Sequence, residues 1–218
     1  MRRAQLAIVV IVWFVLPAGL AMRRHRQEAD GPQGQFDYYV LALSWAPNYC
    51  AGHPKDHSRE CSIGQQANFV LHGLWPQANH GNPPTRCTEA QPVSHALVRH
   101  MLEYYPSPAL IQHEWHEHGV CSGVSAGEYF GQVEQAFNAV KIPDQYRNLN
   151  REDSVSVRDI EQSFAQANHA PSEAFRITCH DGEMVSLEAC FTKDLQYTAC
   201  TANVHECRSP QVLMRQVQ

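Results

Sequence analysis

Several features that define other classes of protein are missing from this 218-residue chain. None of its eight cysteines forms a Cys-x-x-Cys pair, around which a structural zinc site would form. The chain has no internal repeat and no low-complexity tract, which argues against a repeat protein. It has no Asn-x-Ser/Thr sequence, so nothing in it indicates N-glycosylation. An excess of basic residues is also absent: the formal charge is −5, which disfavours binding of a polyanion at neutral pH.

The beginning of the chain differs in composition from the rest. A charged start and an apolar run over residues 4–21 that ends in a small-x-small sequence are typical of a secretory signal peptide, which we assign to residues 1–21. Three arginines within residues 22–26 favour an uncleaved anchor of marginal length, and this alternative stays open. We expect cleavage and therefore an exported, periplasmic or secreted protein without a stable membrane partner. Residues 22–35 would be a polar linker, and residues 36–218 one catalytic domain.

The cysteines all lie beyond the predicted signal peptide. An even number of cysteines in an exported chain predicts disulfides, although spacing alone allows about 105 pairings of eight cysteines. The eight residues are Cys50, Cys61, Cys87, Cys121, Cys179, Cys190, Cys200 and Cys207.

Histidine is frequent, with 13 residues, all beyond residue 21. Removal of residues 1–21 takes away two arginines and no acid, which changes the formal charge from −5 to −7. Protonation of all 13 histidines would then change it to +6. The sign of the protein's electric field can therefore invert between neutral and mildly acidic pH.

Apolar and β-branched runs predict several strands. The first would be ended by Pro47, and an Asp-Gly hairpin turn at 181–182 would join two of the others. The predicted strands are residues 36–45, 68–76, 174–179, 184–191 and 197–200.

Helices are predicted where serine caps precede apolar residues at helical spacing. Ser107 and Pro108 would begin the helix that contains residues 113–118, and Gly119 would end it. Because helices and strands are segregated, we expect an α+β fold: a single domain with a central antiparallel sheet, several packed helices and disulfide staples. The four predicted caps are Ser94, Ser107, Ser125 and Ser156.

The stretch HEWHEHGVC, which begins at His113, allows two interpretations. A zinc site of the His-Glu-x-x-His type needs its second histidine where this chain has Glu117. His113, His116 and Glu117 still offer an improvised metal site, so a metal-dependent hydrolase remains an alternative. On a helix, Glu114 and His118 share a face, which backs an imidazole with a carboxylate and favours proton transfer.

Proton transfer needs a second group, and His72 in VLHGLWPQ is the candidate, at the end of a predicted strand. Two histidines, one neutral and one charged, can take a proton from an attacking hydroxyl and give one to a leaving alkoxide. That chemistry suits cleavage of a phosphodiester by a neighbouring hydroxyl. Taken alone, His72 is better explained as a structural histidine, but its pairing with the second segment favours catalysis.

Both segments resemble those of a known family. HGLWPQ at 72–77 and HEWHEHGVC at 113–121 are similar to the two catalytic segments of the ribonuclease T2 family, which are secreted, transferase-type, non-base-specific endoribonucleases. ALSWAPNYC at 42–50 resembles the family's first core strand, and ITCHDGEMVSLEACFTKDL at 177–195 its late hairpin. The resemblance spans residues 36–207, and the chain is identified as a bacterial-like member.

The resemblance implies roles for individual residues. His72 and His118 would be the general acid and base, in either assignment, and His113 would hold the phosphate. Glu114 would polarise the phosphoryl oxygen or orient the neighbouring imidazole. Such enzymes need no cofactor and no metal.

Two further residues would contact a base of the RNA. Trp75 would stack on it, which every base permits because each presents a π-face. An aromatic plug under the strand end is the alternative role for Trp75. Gln77 would hydrogen-bond several base edges, which leaves the base preference open.

The family's cysteine order also implies a pairing. The second of its bridges would fasten the helix that carries the active-site residues near the His72 loop. The implied pairs are Cys50 with Cys61, Cys87 with Cys121, Cys179 with Cys207, and Cys190 with Cys200.

One residue departs from the family pattern. The family usually has a lysine just before the last histidine of the second segment, and this chain has Glu117. Loss of a cation aimed at developing negative charge would cost on the order of 100-fold in rate. A carboxylate here is expected to raise the pKa of His118, and protonated His113 or His116 would compensate in acid.

We therefore expect a monomeric endoribonuclease that cleaves single-stranded RNA through the ribose 2′-hydroxyl. The products would be 2′,3′-cyclic phosphates and then 3′-phosphates, and DNA would stay intact because it lacks that hydroxyl. The alternatives are the metal-dependent hydrolase and a catalytically impaired RNA-binding relative in which Glu117 has spoiled the site.

Overall fold

The computed structural model describes residues 33–62, 67–201 and 206–217. The predicted signal peptide at residues 1–21, its alternative as an anchor and nearly all of the predicted linker lie outside the described residues. Within the described ranges, no helix is long and apolar enough to cross a membrane.

The strands of the described chain form one six-stranded sheet. They are β1 (Tyr38–Trp45), β2 (Phe69–Gln77), β3 (Asp153–Ser156), β4 (Phe175–His180), β5 (Glu183–Phe191) and β6 (Gln211–Met214). Their order is β2, β1, β5, β6, β3, and β4 pairs with β5 beside this path. The pairs are antiparallel apart from one parallel contact between Glu183 and Leu213. The predicted α+β fold with a central antiparallel sheet is confirmed.

The helices begin where the serine caps predict. Each cap side chain accepts a hydrogen bond from the backbone N–H three residues later, which satisfies a donor that the helix leaves unpaired. The helices are α1 (Ala46–Gly52), α2 (His95–Met101), α3 (Pro108–Glu117), α4 (Ala126–Ala139), α5 (Asp144–Arg147) and α6 (Val157–Asn168). The described residues also form 3₁₀ turns at Arg59–Cys61, Gly119–Cys121 and Ser172–Ala174.

Two predictions of local structure need correction. Pro47 does not simply stop the first strand, because it lies in the first turn of α1, where its missing N–H costs nothing. Residues 197–200 are not a strand: Tyr197 makes one isolated bridge to Phe191, and Cys200 donates its backbone N–H to Glu173 instead of a sheet partner. The Cys190–Cys200 disulfide and the hydrogen bond from the Thr198 N–H to the Cys190 carbonyl hold this segment beside β5, but they do not make it a strand.

The two faces of the sheet have different surroundings. One face carries alternate residues of β1, among them Leu41 and Leu43, and packs against the helices in the main core. The opposite face carries Val40 in a small apolar cluster, with Trp75 packed against it. Because side chains alternate along a strand, this second face presents polar side chains of β1 and β2 away from the core. The candidate site lies there.

Four disulfides join all eight cysteines, in the pairing that the resemblance implies. The bridge between Cys87 and Cys121 ties the segment after β2 to the 3₁₀ turn after α3. Since β2 and α3 carry the two histidine segments, this bridge holds the two halves of the site together.

Candidate active site

A β-bulge presents His72. In the pairing of β1 with β2, Leu71 and Gly73 have partners, whereas His72 between them has none. A bulge bends its strand and aims the extra side chain in a new direction. The imidazole Nδ1 lies 3.4 Å from Ser44 Oγ, and the side chain remains 41% exposed. The ring is thus in contact with β1 through Nδ1 and is only partly exposed.

Glu114 of α3 lies directly beneath this bulge. Its side chain is 0% exposed, its Oε1 lies 3.4 Å from His72 Nε2, and its Oε2 accepts a 2.8 Å hydrogen bond from Trp75 Nε1. A Cβ on Gly73 would lie 1.9 Å from Oε2, so only glycine leaves room for the carboxyl group here. Burial, opposed by the Trp75 hydrogen bond and reinforced by Glu117, raises the pKa of Glu114 to about 8.

Trp75 contacts two imidazoles. The centroid of its ring lies 5.4 Å from that of His72 and 5.3 Å from that of His118. His118 follows the last residue of α3 with φ −123° and ψ −49°, so its backbone leaves the helical conformation at this residue. Its N–H still donates to the carbonyl of Glu114. The bulge and the helix end therefore bring both histidines to one indole ring.

The surroundings lower the pKa of both histidines. Burial, followed by repulsion from His113, lowers the pKa of His72 to about 4. Burial, followed by repulsion from His113 and His72, lowers the pKa of His118 to about 3. The exposed His113 is therefore close enough to act on both rings. The prediction that the pKa of His118 is raised is wrong: the shift is downward, and its causes are burial and the two neighbouring imidazoles.

The sequence matches a family model over residues 36–200, and that family is described as the ribonuclease T2 family. The match covers well over half of the chain. The chain belongs to the ribonuclease T2 family.

Bacterial ribonucleases are among the curated relatives of this T2 family member. It is 45% identical over 102 residues to a ribonuclease of Aeromonas hydrophila, a match that covers 47% of this chain and 45% of the relative. It is 26% identical over 221 residues to ribonuclease I of Escherichia coli, which covers 82% and 80%. A probable ribonuclease of Haemophilus influenzae is 36% identical over 132 residues, with 55% and 47% covered. The chain thus spans about half the length of the Aeromonas and Haemophilus relatives that it matches.

Solved structures share the fold. An RNase-related protein from Calystegia sepium has a TM-score of 0.69 at 22% identity, over 84% of this chain and 98% of that one. A variant of RNase MC1 in complex with 5′-UMP has a TM-score of 0.64 at 20% identity, over 81% of this chain and 97% of that one.

The residues assigned to base binding differ in their surroundings. Trp75 is half-buried, and its indole contacts both histidines and Glu114. Its remaining exposed surface keeps stacking a prediction. Gln77 is only 8% exposed at the end of β2, and its hydrogen bonding to a base also stays a prediction.

Glu117 lies between two basic side chains. Its Oε1 is 3.1 Å from His116 Nδ1 and its Oε2 is 3.7 Å from Arg86 Nε. His113 is not part of this cluster of contacts. In the described residues, no group of three or more His, Cys, Asp or Glu side chains is arranged to hold a metal ion, so the residues of the improvised metal site do not form a ligand set.

Sequence reasoning missed three residues near the site: Ser44, Gly73 and Arg86. Ser44 interrupts an apolar strand, and such a polar residue on the face opposite the core was a usable signal. Gly73 directly follows His72, and a glycine inside a strand indicates a bulge or a close approach. Arg86 gave no signal, because its contact with Glu117 depends on the loop that the Cys87 disulfide fixes.

Proposed function

We propose that this T2 family member is an endoribonuclease that cleaves single-stranded RNA by transesterification, without a metal or another cofactor. The main support for the proposal is the arrangement of His72 and His118, whose rings both contact Trp75. Two imidazoles in such an arrangement can serve the two ends of one reaction, proton removal and proton donation.

In the reaction, one histidine removes the proton of the ribose 2′-hydroxyl. The 2′-oxygen forms a bond to the adjacent phosphorus, and the bond from phosphorus to the 5′-oxygen breaks as the other histidine donates a proton to that oxygen. The products are a 2′,3′-cyclic phosphate and a 5′-hydroxyl. Water later opens the cyclic phosphate to a 3′-phosphate by the reverse use of the two groups. Either histidine can be the base, so His72 and His118 keep both assignments.

Glu114 and His113 support this pair in different ways. The buried Glu114 carboxyl group, 3.4 Å from His72, fixes the direction of that ring or polarises a phosphoryl oxygen beside it. The exposed His113 is free to meet an incoming phosphate. It also lines a cleft of about 520 Å³ that runs past Tyr49 and Glu60, which gives a nucleotide next to the scissile phosphate room to lie.

The low pKa values have a direct consequence for the pH dependence. With the pKa of His72 at about 4 and that of His118 at about 3, only a small fraction of the free protein at pH 7 has a protonated member of the pair to serve as the acid. A bound phosphate anion stabilises the charged form of a nearby imidazole and raises its pKa. The enzyme is thus most active in acid. Bound RNA raises the pKa of the acid, so cleavage of bound RNA extends to a higher pH than the free protein alone would allow.

The remaining parts of the proposal concern the whole protein. DNA is not cleaved, because it lacks the nucleophile. Four disulfides suit an oxidising compartment and so support export. In this proposal residues 1–21 are removed and residues 22–35 are a linker before the catalytic domain. The active species is a monomer that binds single-stranded RNA, with Trp75 and Gln77 in contact with a base.

The test is digestion of a single-stranded RNA from pH 4 to pH 8 with excess chelator, followed by analysis of the end groups. Cyclic phosphate ends, most abundant in acid and unaffected by the chelator, are expected. His118→Asn should abolish cleavage, whereas His180→Asn, an 84% exposed histidine on the β4–β5 hairpin, should not.

Other outcomes of the same experiment would favour the alternatives. Inhibition by the chelator would favour the metal-dependent hydrolase. RNA that is bound but uncut at every pH would favour an RNA-binding relative without catalysis.

A further inference from the structure

A carboxylate stands next to the catalytic histidine at the end of α3. Glu117 immediately precedes His118, and its side chain is 24% exposed. Glu117 also contributes to the raised pKa of Glu114, so its negative charge acts on the carboxyl group that contacts His72. A phosphodiester bound between the two histidines would therefore lie in the field of this carboxylate, and like charges repel.

Arg86 is held against Glu117 by the backbone as well as by charge. Its N–H donates a 2.9 Å hydrogen bond to the carbonyl of Glu117, and its Nε lies 3.7 Å from the Glu117 carboxylate. Its φ is +46°, which is uncommon for a residue with a side chain and persists only where the surroundings enforce it. The next residue, Cys87, is bridged to Cys121, three residues after His118.

We propose that Arg86 is a positioning residue that neutralises Glu117 beside the reacting phosphate. The Arg86–Glu117 pair is then neutral where an unpaired carboxylate would weaken RNA binding and oppose the transition state. This inference rests on the proposed ribonuclease function. Arg86 acts through Glu117, so its effect on catalysis depends on which residue occupies position 117.

The net charge of the pair predicts an order of activities. It is zero in the wild type, −1 in Arg86→Gln, +1 in Glu117→Gln and zero in the double variant. Each unit of charge near a bound phosphate is expected to change kcat/KM roughly 10-fold at low salt. Glu117→Gln should therefore be faster than the wild type, Arg86→Gln slower, and the double variant close to the wild type.

The experiment measures kcat/KM of these four proteins on a short single-stranded RNA at low and high salt, with thermal unfolding as a check of folding. Arg86→Lys should retain most of the kcat/KM that Arg86→Gln loses, because lysine keeps the positive charge. All these variants keep the backbone N–H that donates to the Glu117 carbonyl. Arg158→Gln, an exposed arginine on α6, is the control for a change in total charge. A merely structural role of Arg86 predicts no recovery in the double variant.

The proposal is overturned if Arg86→Gln equals the wild type, or if the double variant is as slow as Arg86→Gln. Failure of the proposed function is a separate outcome, because then the wild type itself leaves RNA uncut. In that case the affinity of the four proteins for an uncleavable 2′-O-methyl RNA decides the role of Arg86. The same order of binding strengths supports the proposal, and equal affinities overturn it.

Discussion

Replacement of Gly73 by alanine would put a methyl group into the contact between Trp75 and Glu114. The new Cβ would lie 1.9 Å from Glu114 Oε2 and 2.7 Å from Trp75 Nε1, and these two atoms form a 2.8 Å hydrogen bond. Neither side chain can move away easily, because Glu114 is 0% exposed and Trp75 contacts two histidine rings. The carboxyl group must therefore leave its place and its contact with His72.

The expected cost has two parts. Overpacking of a tight site costs about 1–3 kcal/mol, and a buried polar group that loses its partner costs about another 1–3 kcal/mol. We expect Gly73→Ala to lower the free energy of unfolding by about 3 kcal/mol, which is about 6–12 °C in Tm for a domain of this size. The rate of RNA cleavage should also decrease in Gly73→Ala, because the carboxyl group of Glu114 no longer orients His72.

The assay is thermal unfolding of Gly73→Ala beside Gly131→Ala. Gly131 lies inside α4 with nothing within 4 Å of the added Cβ, so alanine there should stabilise the protein by about 0.5–1 kcal/mol. The same substitution thus changes the stability in opposite directions at the two positions. Because alanine also suits a strand better than glycine, a Gly73→Ala protein as stable as the wild type would refute the close approach of Glu114.

Three further predictions concern pH and the disulfide framework. Because the pKa of His72 is about 4 and that of His118 about 3, kcat/KM for RNA should fall about 10-fold per pH unit above pH 5. A pH profile that stays flat to pH 8 would contradict the assignment of an imidazole as the acid. Folding raises the pKa of Glu114 from 4.5 to about 8, so the folded state binds this proton more tightly and loses stability as pH rises between these values. The free energy of unfolding of Glu114→Gln, measured with denaturant, should therefore exceed that of the wild type by an amount that increases from pH 5 to pH 8 by up to about 4 kcal/mol. Parallel pH profiles of the two proteins would refute this. Replacement of both Cys87 and Cys121 by alanine opens a loop of 34 residues and should cost about 3–4 kcal/mol in calorimetry, whereas an unchanged Tm would show that the bridge is dispensable.

The local signals in the sequence predicted most of the elements around the site. The serine caps placed the starts of four helices, and the two histidine segments fell on β2 and α3 as expected. The short strands β3 and β6 were not predicted, because each has four residues and their partners lie far apart in the chain. Helix α1 was missed because Pro47 was interpreted only as the end of a strand.

The geometry of the site depended on pairings that the sequence does not reveal. The bulge that exposes His72 arises from the register between β1 and β2, which Gly73 alone does not specify. Glu114 was expected to back His118 on the same helix face, but its carboxyl group contacts His72 on the neighbouring strand. Arg86 reaches Glu117 only through the loop that Cys87 anchors.

The measurement that tests the central claim most directly uses a DNA strand that contains a single ribose. The account predicts one cut, on the 3′ side of that ribose, with a 2′,3′-cyclic phosphate end and with no cut when its 2′-hydroxyl is methylated. Loss of this cut in His72→Asn and in His118→Asn, but not in His180→Asn, would assign the reaction to the two histidines beside Trp75. Cleavage of the all-DNA strand or of the methylated strand would contradict attack by the 2′-hydroxyl.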